Sequence, residues 1–441
     1  MLTDNPAIFF AIIALLALSI HLYLWARLVR STTSPGRWRR VGTGVIVTLG
    51  LVGVIGFAVT RTVGVDAWWL AWAGYGWIAL MFYLLLALLV LEIPRLVLTL
   101  WWRGSDPGAR TEVPRPRSAS PSTSVATATV GSPTPQRPVG GATTSPRQTK
   151  ETEAAHRRSG PANPERRLLL SRVCALTACT VAAGVTGYGL RTAFSDLRTT
   201  RVRIPLATLD PRLSGFRIAV VSDTHFGPFI HREMAERIVR IVDREQPDMV
   251  VILGDLADGT VAEIGRDTEP LRQLRSRHGT YFVTGNHEYS SGVEEWVDQV
   301  RELGIRPLLN ERVEITSGGA AFDLAGVNDV MAPMYDKQGP DFASALDGRD
   351  PARFSLLLAH QPVQLHTAVK YGVDLQLSGH THGGQTAPFD RLVGLQQPVV
   401  AGLAKKQDTS IFVTRGAGFF GPPVRAGIPP EMAIVELQAR G

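Results

Sequence analysis

The sequence predicts a helical membrane region joined to a separate α/β domain. Three observations support this division. The first hundred residues hold long uncharged apolar runs, whereas the last two hundred hold short β-branched runs that alternate with helix-period patterns. Between these parts the composition changes to Ser, Thr, Pro, Ala and Gly with scattered Arg. A chain of 441 residues is long enough for two or three domains.

The apolar runs of the first part have the length of transmembrane helices. The three longest are Ile8–Leu28, Val41–Val59 and Ala67–Leu100. About 20 helical residues cross a hydrocarbon core of about 30 Å, and tryptophans flank the third run as they do at membrane interfaces. Buried helices of a soluble domain are the alternative, but three such runs in succession favour a membrane. We therefore predict three transmembrane helices within residues 1–102.

A fourth, shorter apolar run, Val173–Leu190, follows the basic cluster that includes Arg166 and Arg167. Its small residues suit helix packing within a membrane, so we predict a fourth transmembrane helix within residues 166–195. The preceding residues 103–165 carry too few large apolar side chains to offset the entropy of the chain. They are predicted to form a disordered linker, and a phosphorylated or partner-binding tail is the alternative.

The distribution of arginine predicts the orientation in the membrane. Five arginines lie at the end of the first span and in the loop after it, the loop after the second carries only Arg61, and the linker is basic again. Because cytoplasmic loops are enriched in Lys and Arg, we expect a multi-pass protein of the cell membrane with an extracytoplasmic C-terminal domain. Arginines after the fourth span argue weakly against this, although long translocated domains tolerate such charge. Arg166 and Arg167 also resemble an internal twin-arginine export signal, which would place them on the same side.

The overall charge does not point to nucleic acid. The formal net charge is +7 and the isoelectric point is near 9.7, but much of the excess lies beside the apolar segments. We interpret this excess as a topology signal. The two cysteines, Cys174 and Cys179, both lie in the fourth apolar run, which leaves no disulfide framework or thiolate metal site in the soluble part.

From Leu206 onward the pattern is that of an α/β domain. Short apolar runs predict buried strands at Phe216–Ser222, Met249–Leu253, Thr280–Thr284, Phe354–Ala359 and Leu375–Leu377. Helical spacing of apolar residues predicts helices at Met234–Glu245 and Glu294–Leu303. Ligands bind at the carboxyl ends of strands in open α/β sheets. Chemically competent side chains directly after the predicted strands are therefore candidate site residues.

Five short segments at these strand ends carry side chains that can bind metal. They are Asp223-Thr224-His225, Gly254-Asp255-Leu256-Ala257-Asp258, Gly285-Asn286-His287-Glu288, His360-Gln361-Pro362 and Gly379-His380-Thr381-His382. A single Asp after Gly is usually a turn or a helix cap. The coincidence of five such segments at strand ends favours a metal site instead.

The candidate ligands are oxygen and nitrogen donors without a thiolate. They are Asp223, His225, Asp255, Asn286, His360, His380 and His382. Seven such donors exceed the needs of one tetrahedral ion and suit two divalent ions that share a bridging carboxylate. Iron, manganese or zinc fits this mixture of donors. The sequence therefore predicts a dinuclear metal centre.

In order and spacing, the five segments resemble the motifs of the calcineurin-like metallophosphoesterases. Those motifs are D-x-H, G-D-x-x-D, G-N-H-[DE], an isolated H and G-H-x-H. The resemblance covers roughly residues 206–439. The stretch Ser378–Gln385, with the later Thr414-Arg415-Gly416, Pro423, Arg425 and Pro430-Glu431, is similar to a membrane-associated bacterial subgroup.

The resemblance implies a fold and a ligand arrangement. The fold would be a two-sheet α-β-β-α sandwich. One ion would be held by Asp223, His225, Asp255 and His382, and the second by Asp255, Asn286, His360 and His380. Asp255 would bridge the two ions.

Catalytic roles follow from this arrangement. Two close ions lower the pKa of a bridging water to about neutrality, so that hydroxide attacks phosphorus in line. His287 is the candidate to protonate the leaving oxygen, and Asp258 is the candidate to orient that imidazole, with a helix cap as the alternative role. Arg415 and Arg425 are candidates for binding the substrate phosphate, and structural salt bridges are equally compatible with the sequence.

We therefore predict a membrane-anchored, dinuclear-metal phosphoesterase. Its substrate would be a phospholipid, a lipid-linked sugar phosphate, a nucleotide or a pyrophosphate. A metal-binding membrane sensor or scaffold is the second hypothesis, against which the intact ligand set argues. Transport has little support, because the first two spans lack acidic or basic residues at mid-span and Glu92 lies near the end of the third.

Overall fold

The computed structural model describes residues 6–62, 68–104 and 164–440. Four long helices precede the C-terminal domain in this part of the chain. They are α1 (Pro6–Leu24), α2 (Arg37–Thr62), α3 (Trp68–Gly104) and α4 (Pro164–Ala193). A π-helical turn, Trp25–Arg30, extends α1. Residues 105–163 of the predicted linker lie outside the described residues.

Three of the described helices are long and apolar enough to cross a membrane. These stretches are Arg37–Ala58, Trp68–Leu100 and Glu165–Ala193, within α2, α3 and α4. They match the second, third and fourth predicted spans. The first predicted span coincides with α1 and its π-helical turn, and it stays a prediction as a membrane segment.

The helices pack with their arginine-rich ends together. Arg27 Nε, after α1, lies 2.8 Å from Glu92 Oε1 in α3. Arg172 Nε in α4 donates to the carbonyl of Thr32 at 3.2 Å. At the other end of the bundle, a Cβ on Gly56 of α2 would lie 2.7 Å from the Cα of Gly74 in α3. The glycines therefore allow the two backbones to touch, as small residues do in membrane helix pairs.

The C-terminal domain contains twelve strands among the described residues. They are β1 (Arg198–Leu206), β2 (Arg217–Val221), β3 (Met249–Ile252), β4 (Thr280–Phe282), β5 (Arg306–Pro307), β6 (Glu311–Ser317), β7 (Ala320–Gly326), β8 (Ser355–Leu358), β9 (Leu375–Ser378), β10 (Gly402–Lys406), β11 (Thr409–Val413) and β12 (Glu431–Ala439). They form two six-stranded sheets, in the orders β1-β12-β2-β3-β4-β5 and β10-β11-β9-β8-β7-β6. The central strands β2, β3 and β4 of the first sheet are parallel, as are β7, β8, β9 and β11 of the second.

Short helices cover the sheets and connect the strands. The α-helices are α5 (Arg232–Glu245), α6 (Val261–Thr268), α7 (Asn286–Ser291), α8 (Val293–Glu302), α9 (Phe342–Leu346), α10 (Leu365–Ala368) and α11 (Asp390–Val393). The 3-10 helices are Pro211–Leu213, Glu269–Gln273, Ala332–Tyr335, Pro362–Gln364 and His382–Gly384. Strands β2, β3, β4, β8 and β9 and helices α5 and α8 confirm the corresponding predictions.

The two sheets pack face to face with helices outside. Buried side chains of both sheets, such as Val251 and Leu377, form one cluster between them. The opposite face of the first sheet shares a second cluster with α5, to which Ile238 belongs. The outer face of the second sheet shares a third cluster with α9, to which Leu346 belongs. Burial of these apolar faces stabilises the layers, and the predicted α-β-β-α sandwich is confirmed.

The loop between β11 and β12, residues 414–430, joins this domain to the membrane helices. Its Val424 and Ala426 are buried in the same cluster as side chains of α3 and α4. The backbone N–H of Arg425 donates to the carbonyl of Gly189 in α4 at 2.9 Å. The β11–β12 loop therefore contacts the membrane helices, and it also borders the site described next.

Candidate dinuclear metal site

All seven predicted metal ligands lie just beyond the carboxyl ends of parallel strands. Asp223 and His225 follow β2, Asp255 follows β3, and Asn286 follows β4. In the second sheet, His360 follows β8, and His380 and His382 follow β9. The face-to-face packing of the sheets brings these loops together at one edge of the sandwich. The structure thus brings together the residues that the sequence analysis selected.

Five of these seven residues have a left-handed backbone. Their φ angles are 54° at Asp223, 50° at His225, 51° at Asp255, 69° at His380 and 50° at His382. Such angles are uncommon for residues other than glycine, and they concentrate at functional sites where surrounding structure enforces them. The strand ends therefore turn sharply and direct these side chains to a common centre.

One glycine is needed for the close approach of the two sheets. A Cβ added to Gly379 would lie 2.0 Å from Ser222 Oγ and 2.3 Å from Asp223 Oδ2. The backbone N–H of His380 donates to Asp223 Oδ1 at 3.0 Å. The glycine before His380 therefore lets the β9 loop lie directly on the Asp223 carboxylate.

The first group of candidate ligands comprises Asp223, His225 and His382. Nε2 of His225 lies 3.0 Å from Nε2 of His382, and the latter lies 3.5 Å from Asp223 Oδ1. All three side chains are buried. Two buried imidazole nitrogens this close to each other and to a carboxylate are suited to hold a cation between them.

The second group comprises Asp255, His360 and His380. Nε2 of His360 lies 3.2 Å from Asp255 Oδ2 and 3.2 Å from Nδ1 of His380. Nδ1 of His360 lies 2.6 Å from the Leu253 carbonyl, which orients the ring so that Nε2 points into the site. Asp255 Oδ2 also lies 3.8 Å from Nε2 of His225 in the first group, so its carboxylate lies between the two groups.

The side-chain oxygen of Asn286 supports a metal site independently. It is among the buried side-chain oxygens that have no hydrogen-bond partner in the described part of the chain. Burying such an acceptor without a partner costs about 1–3 kcal/mol. A divalent ion would satisfy this oxygen. The donors present thus fit divalent metal ions.

Asp258 joins two histidines of the site. Its Oδ1 lies 2.6 Å from Nδ1 of His287 and 2.7 Å from Nδ1 of His225. Burial alone would lower the pKa of His287, but the negative charges of Asp255 and Asp258 outweigh burial and raise this pKa to about 10. The contact expected from the sequence between Asp258 and His287 is present. The additional contact with His225 had no sequence signal.

Glu288 is a buried residue of the site that the sequence analysis quoted but gave no role. Its carboxylate accepts hydrogen bonds from the backbone N–H groups of Gly285, Asp255 and Leu256. Burial, and then the charge of Asp255, raise the pKa of Glu288 to about 6. The carboxylate therefore ties the β3 loop to the β4 loop. Its position as the fourth residue of the G-N-H-[DE] motif was the available signal.

The two predicted phosphate-binding arginines lie in different environments. Arg425 is 0% exposed, and its guanidinium donates to the carbonyls of Gly418 at 2.7 Å and Arg415 at 2.8 Å. Its Nη2 also lies 3.1 Å from Nδ1 of His382. The geometry favours a structural role for Arg425, which contacts the candidate ligand His382 from behind. Arg415 is half-exposed and pairs with Glu431 at 3.4 Å, so the predicted salt-bridge alternative is present there.

Gln385, at the end of the Ser378–Gln385 stretch, positions an aromatic side chain at the site. Its amide Nε2 donates to the carbonyl of Phe420 at 2.9 Å, and its Oε1 accepts from the N–H of Phe420 at 2.8 Å. The ring of Phe420 lies 5.1 Å from the ring of His287 between centroids. Gln385 and Phe420 lie in different loops, and no local sequence pattern predicts their contact.

Comparison with known proteins agrees with this geometry. The family model described as "Calcineurin-like phosphoesterase" matches residues 216–384. The chain is 38% identical over 297 residues to a bovine "Transmembrane protein with metallophosphoesterase domain", covering 65% of this chain and 66% of that protein. It is 37% identical to an uncharacterized metallophosphoesterase of Helicobacter pylori, covering 57% and 67%. It is 33% identical to one of Aquifex aeolicus, covering 56% and 97%.

These matches show the family and leave part of the bovine relative unmatched. The chain spans slightly less than two thirds of that protein's length. In contrast, it spans nearly all of the Aquifex protein, so the shared part is a complete unit there. The predicted motifs, the two-sheet sandwich and these identities lead to one conclusion: the chain belongs to the calcineurin-like metallophosphoesterases, a family that depends on a dinuclear metal centre.

Proposed function

We propose that the protein is a membrane-anchored phosphoric ester hydrolase that uses two divalent ions. The observation that carries this proposal is the convergence of three adjoining clusters of possible ligand atoms. His225, Asp255 and His287 form the middle cluster, so the Asp255 carboxylate lies between the two outer groups. A single structural ion would leave several of these buried donors without a partner. Manganese, iron or zinc suits a donor set of imidazoles and carboxylates.

The proposed ligand assignment follows the two groups. Asp223, His225 and His382 would hold one ion, and Asn286, His360 and His380 would hold the other, with Asp255 bound to both. When bound, the ions supply an activated water for attack on phosphorus and neutralise charge on the non-bridging oxygens. The protein's own task is to fix these donors, which the buried strand ends achieve before any substrate binds.

The protonated His287 would donate to the leaving oxygen. Asp258 accepts from Nδ1 of His287, so a second ring proton would sit on Nε2, which lies 3.9 Å from Asp255 Oδ2 and would carry this proton toward the substrate. The charge of Asp258, which is not a proposed ligand, favours the protonated form of the ring. Asp258 is therefore a positioning residue, and His287 is the candidate general acid.

The proposed organisation is three transmembrane helices within residues 1–102, a linker over 103–165, a fourth transmembrane helix within 166–195 and a catalytic domain over 206–439. The catalytic domain would lie outside the cytoplasm. This orientation is supported by the arginine-rich ends of the helices, which meet at the end of the bundle opposite Gly189, where the catalytic domain is attached. A reporter active only in the cytoplasm, fused after Gly441, would be inactive in this orientation. An active reporter would reverse it.

A direct assay tests the proposed activity. The full-length chain would be purified in lipid nanodiscs, loaded with Mn²⁺ and given bis(p-nitrophenyl) phosphate and p-nitrophenyl phosphate. We expect release of p-nitrophenolate from at least one ester, abolished by a chelator and restored by Mn²⁺. The alternative is a metal-binding sensor or scaffold with little turnover. Absence of hydrolysis at full metal occupancy, across phosphomonoesters, phosphodiesters and pyrophosphates, would support that alternative.

A further inference from the structure

The pocket beside the metal-ligand groups has two chemically different walls. It has a volume of about 400 Å³, and its lining includes His225 and His287. One wall is polar and includes Asp258, Thr260 and Glu263. The other is aromatic and consists of Phe229, Phe419, Phe420 and, from the membrane helix α3, Tyr75. A membrane helix thus supplies part of the wall of the catalytic pocket.

The aromatic wall is continuous from α3 to the site. The ring of Tyr75 packs edge-on against Phe229 at 5.8 Å, and Phe229 lies 6.0 Å from Phe419. Phe420, the next residue, is 48% exposed and reaches His287. Aromatic rings placed beside open space present a large apolar surface to a ligand. This surface begins at the helix bundle and ends at the candidate general acid.

The position of Tyr75 along α3 places the pocket at the bilayer surface. Arg95 lies near the basic end of the bundle, where it contacts Glu92. At 1.5 Å per residue, Tyr75 is about 30 Å from Arg95 along the helix. This is about the thickness of a hydrocarbon core, also near 30 Å. With Arg95 at one interface, Tyr75 lies at the other.

A neighbouring segment of the catalytic domain lies beside the part of α3 that is predicted to be inside the membrane. The hydroxyl of Tyr83, about 12 Å further into α3 than Tyr75, donates to the carbonyl of Ala387 at 3.3 Å. The residues after Ala387 expose large apolar side chains, namely Phe389, Leu392 and Leu395, the last 81% exposed. Exposure of such side chains beside membrane helices is expected where they contact lipid.

We propose that the substrate is an amphiphilic phosphate ester taken from the bilayer, with its phosphate at the metal-ligand groups and its apolar part against the wall of Tyr75, Phe419 and Phe420. This rests on the proposed function and narrows its substrate class. The membrane region is then part of the substrate site as well as an anchor. For a diester, water oxygen bonds to phosphorus, the P–O bond to the leaving group breaks, and the products are a phosphomonoester and an alcohol that takes its proton from His287. A nucleotide stacking on the same rings is the competing interpretation.

The test compares esters that share one reacting group and differ in the rest. Full-length protein in nanodiscs with Mn²⁺ would hydrolyse methyl, dodecyl and thymidine 5′ esters of p-nitrophenyl phosphate, at one fixed lipid concentration. We expect kcat/KM for the dodecyl ester to exceed that for the methyl ester by about 10-fold or more, since partial burial of a long chain gives at least the 1.4 kcal/mol that corresponds to a factor of ten.

Variants of the wall separate binding by the protein from simple partition into lipid. Tyr75→Ala and Phe420→Ala should each lower the dodecyl-to-methyl ratio by about 5- to 10-fold, the effect of losing one aromatic contact of about 1 kcal/mol or more. Tyr75→Phe keeps the ring and should retain the ratio. Trp69→Ala, which removes an exposed aromatic from the first turn of the same helix, is the matched control and should also retain it.

The outcomes distinguish this inference from the proposed function. A dodecyl preference that the wall variants leave unchanged would reflect partition into lipid and would overturn the inference. A ratio near one, or a preference for the thymidine ester that the wall variants abolish, would also overturn it while leaving the hydrolase proposal intact. If no ester is hydrolysed at full metal occupancy, the proposed function itself fails.

Discussion

The two groups of candidate ligands are supported by different parts of the molecule. The first group, Asp223, His225 and His382, is supported by the β11–β12 loop, which also contacts the membrane helices. The backbone N–H groups of Ala417 and Gly418 in that loop donate to the carbonyls of Ser222 and Asp223, respectively. Arg425 of the same loop lies behind His382. The second group, Asp255, His360 and His380, is supported from within the sandwich, by the Leu253 carbonyl and the Glu288 carboxylate.

The second group therefore depends on contacts within the sandwich, whereas the first group also depends on a loop that contacts the membrane helices. The supports of the second group are the residue after β3 and Glu288 of the β4 loop, so they need only the sandwich. The supports of the first group lie about 200 residues later in the chain than Asp223 and His225, in a loop held by Gly189 of α4. Mutations in the two sets of supports should therefore have separable effects on metal binding.

The largest effect is expected where the two groups meet. Asp255→Asn removes the charge of the one carboxylate that lies between them, so both ions should be lost and hydrolysis should fall by about 10³-fold or more, as when a ligand shared by two catalytic ions is removed. Metal content by mass spectrometry and release of p-nitrophenolate would measure this. Asp298→Asn changes an exposed carboxylate on α8 and is the matched control. Retention of both ions by Asp255→Asn would contradict the bridging assignment.

The second largest effect is expected from a variant that retains metal in both groups of ligands. His287→Ala removes the candidate general acid without removing a ligand, so kcat for an ester whose alcohol leaving group must be protonated should fall by about 10²- to 10⁴-fold, the usual contribution of acid–base catalysis. Metal content should stay close to that of the unmodified protein. His231→Ala, at an exposed histidine paired with Asp267, serves as control. Equal loss of metal in His287→Ala and Asp255→Asn would show that His287 is itself a ligand.

Much of the fold and of the candidate site could be predicted from the sequence, and the features that could not be predicted share a physical cause. The strands β2, β3, β4, β8 and β9 have continuous apolar runs followed by their ligands, so local pattern and chemistry coincide. The strands β1, β10 and β12 carry no comparable signal. β1 pairs with β12, which lies more than two hundred residues later in the chain, and the local sequence of neither strand indicates this pairing.

The missed features of the site are contacts between distant segments. Arg425 is fully buried, against the strong tendency of arginine to be exposed, because backbone carbonyls and His382 surround its guanidinium. Its burial depends on the path of the β11–β12 loop, which the sequence does not encode locally. Similarly, Tyr75 belongs to an apolar helix that predicted only a membrane span, and its contact with Phe229 follows from how α3 meets the domain.

A smaller, selective effect is expected from Arg425→Lys. Lysine retains the charge but cannot reach the carbonyls of Gly418 and Arg415 together with His382, so the support of the first group is lost. Affinity for one of two ions should fall by about 10- to 100-fold, as when residues that orient ligands are changed. Stepwise metal titration by calorimetry would show one weakened step.

The converse variant is Glu288→Gln. It replaces a carboxylate that accepts three backbone hydrogen bonds beside the second group with an amide that keeps one acceptor oxygen and directs its NH2 at the remaining N–H donors. It should weaken the other step of the titration. If both variants weaken the same step, or both steps equally, the separation of the two groups is wrong. Arg415→Lys, at the half-exposed arginine paired with Glu431, is the control for Arg425→Lys.

The smallest effect is expected from Gln385→Ala, which leaves every candidate ligand in place. It removes both side-chain hydrogen bonds that fix the backbone of Phe420, so the ring beside His287 gains freedom. Each such hydrogen bond contributes about 1 kcal/mol, so we expect kcat/KM for an apolar phosphodiester to fall by about 3- to 10-fold, mainly through KM. Gln385→Glu keeps one acceptor for the Phe420 N–H and should restore part of the loss. A fall in metal content instead would show that Gln385 acts on His382, three residues earlier in the chain, and would connect the aromatic wall to the first group of ligands.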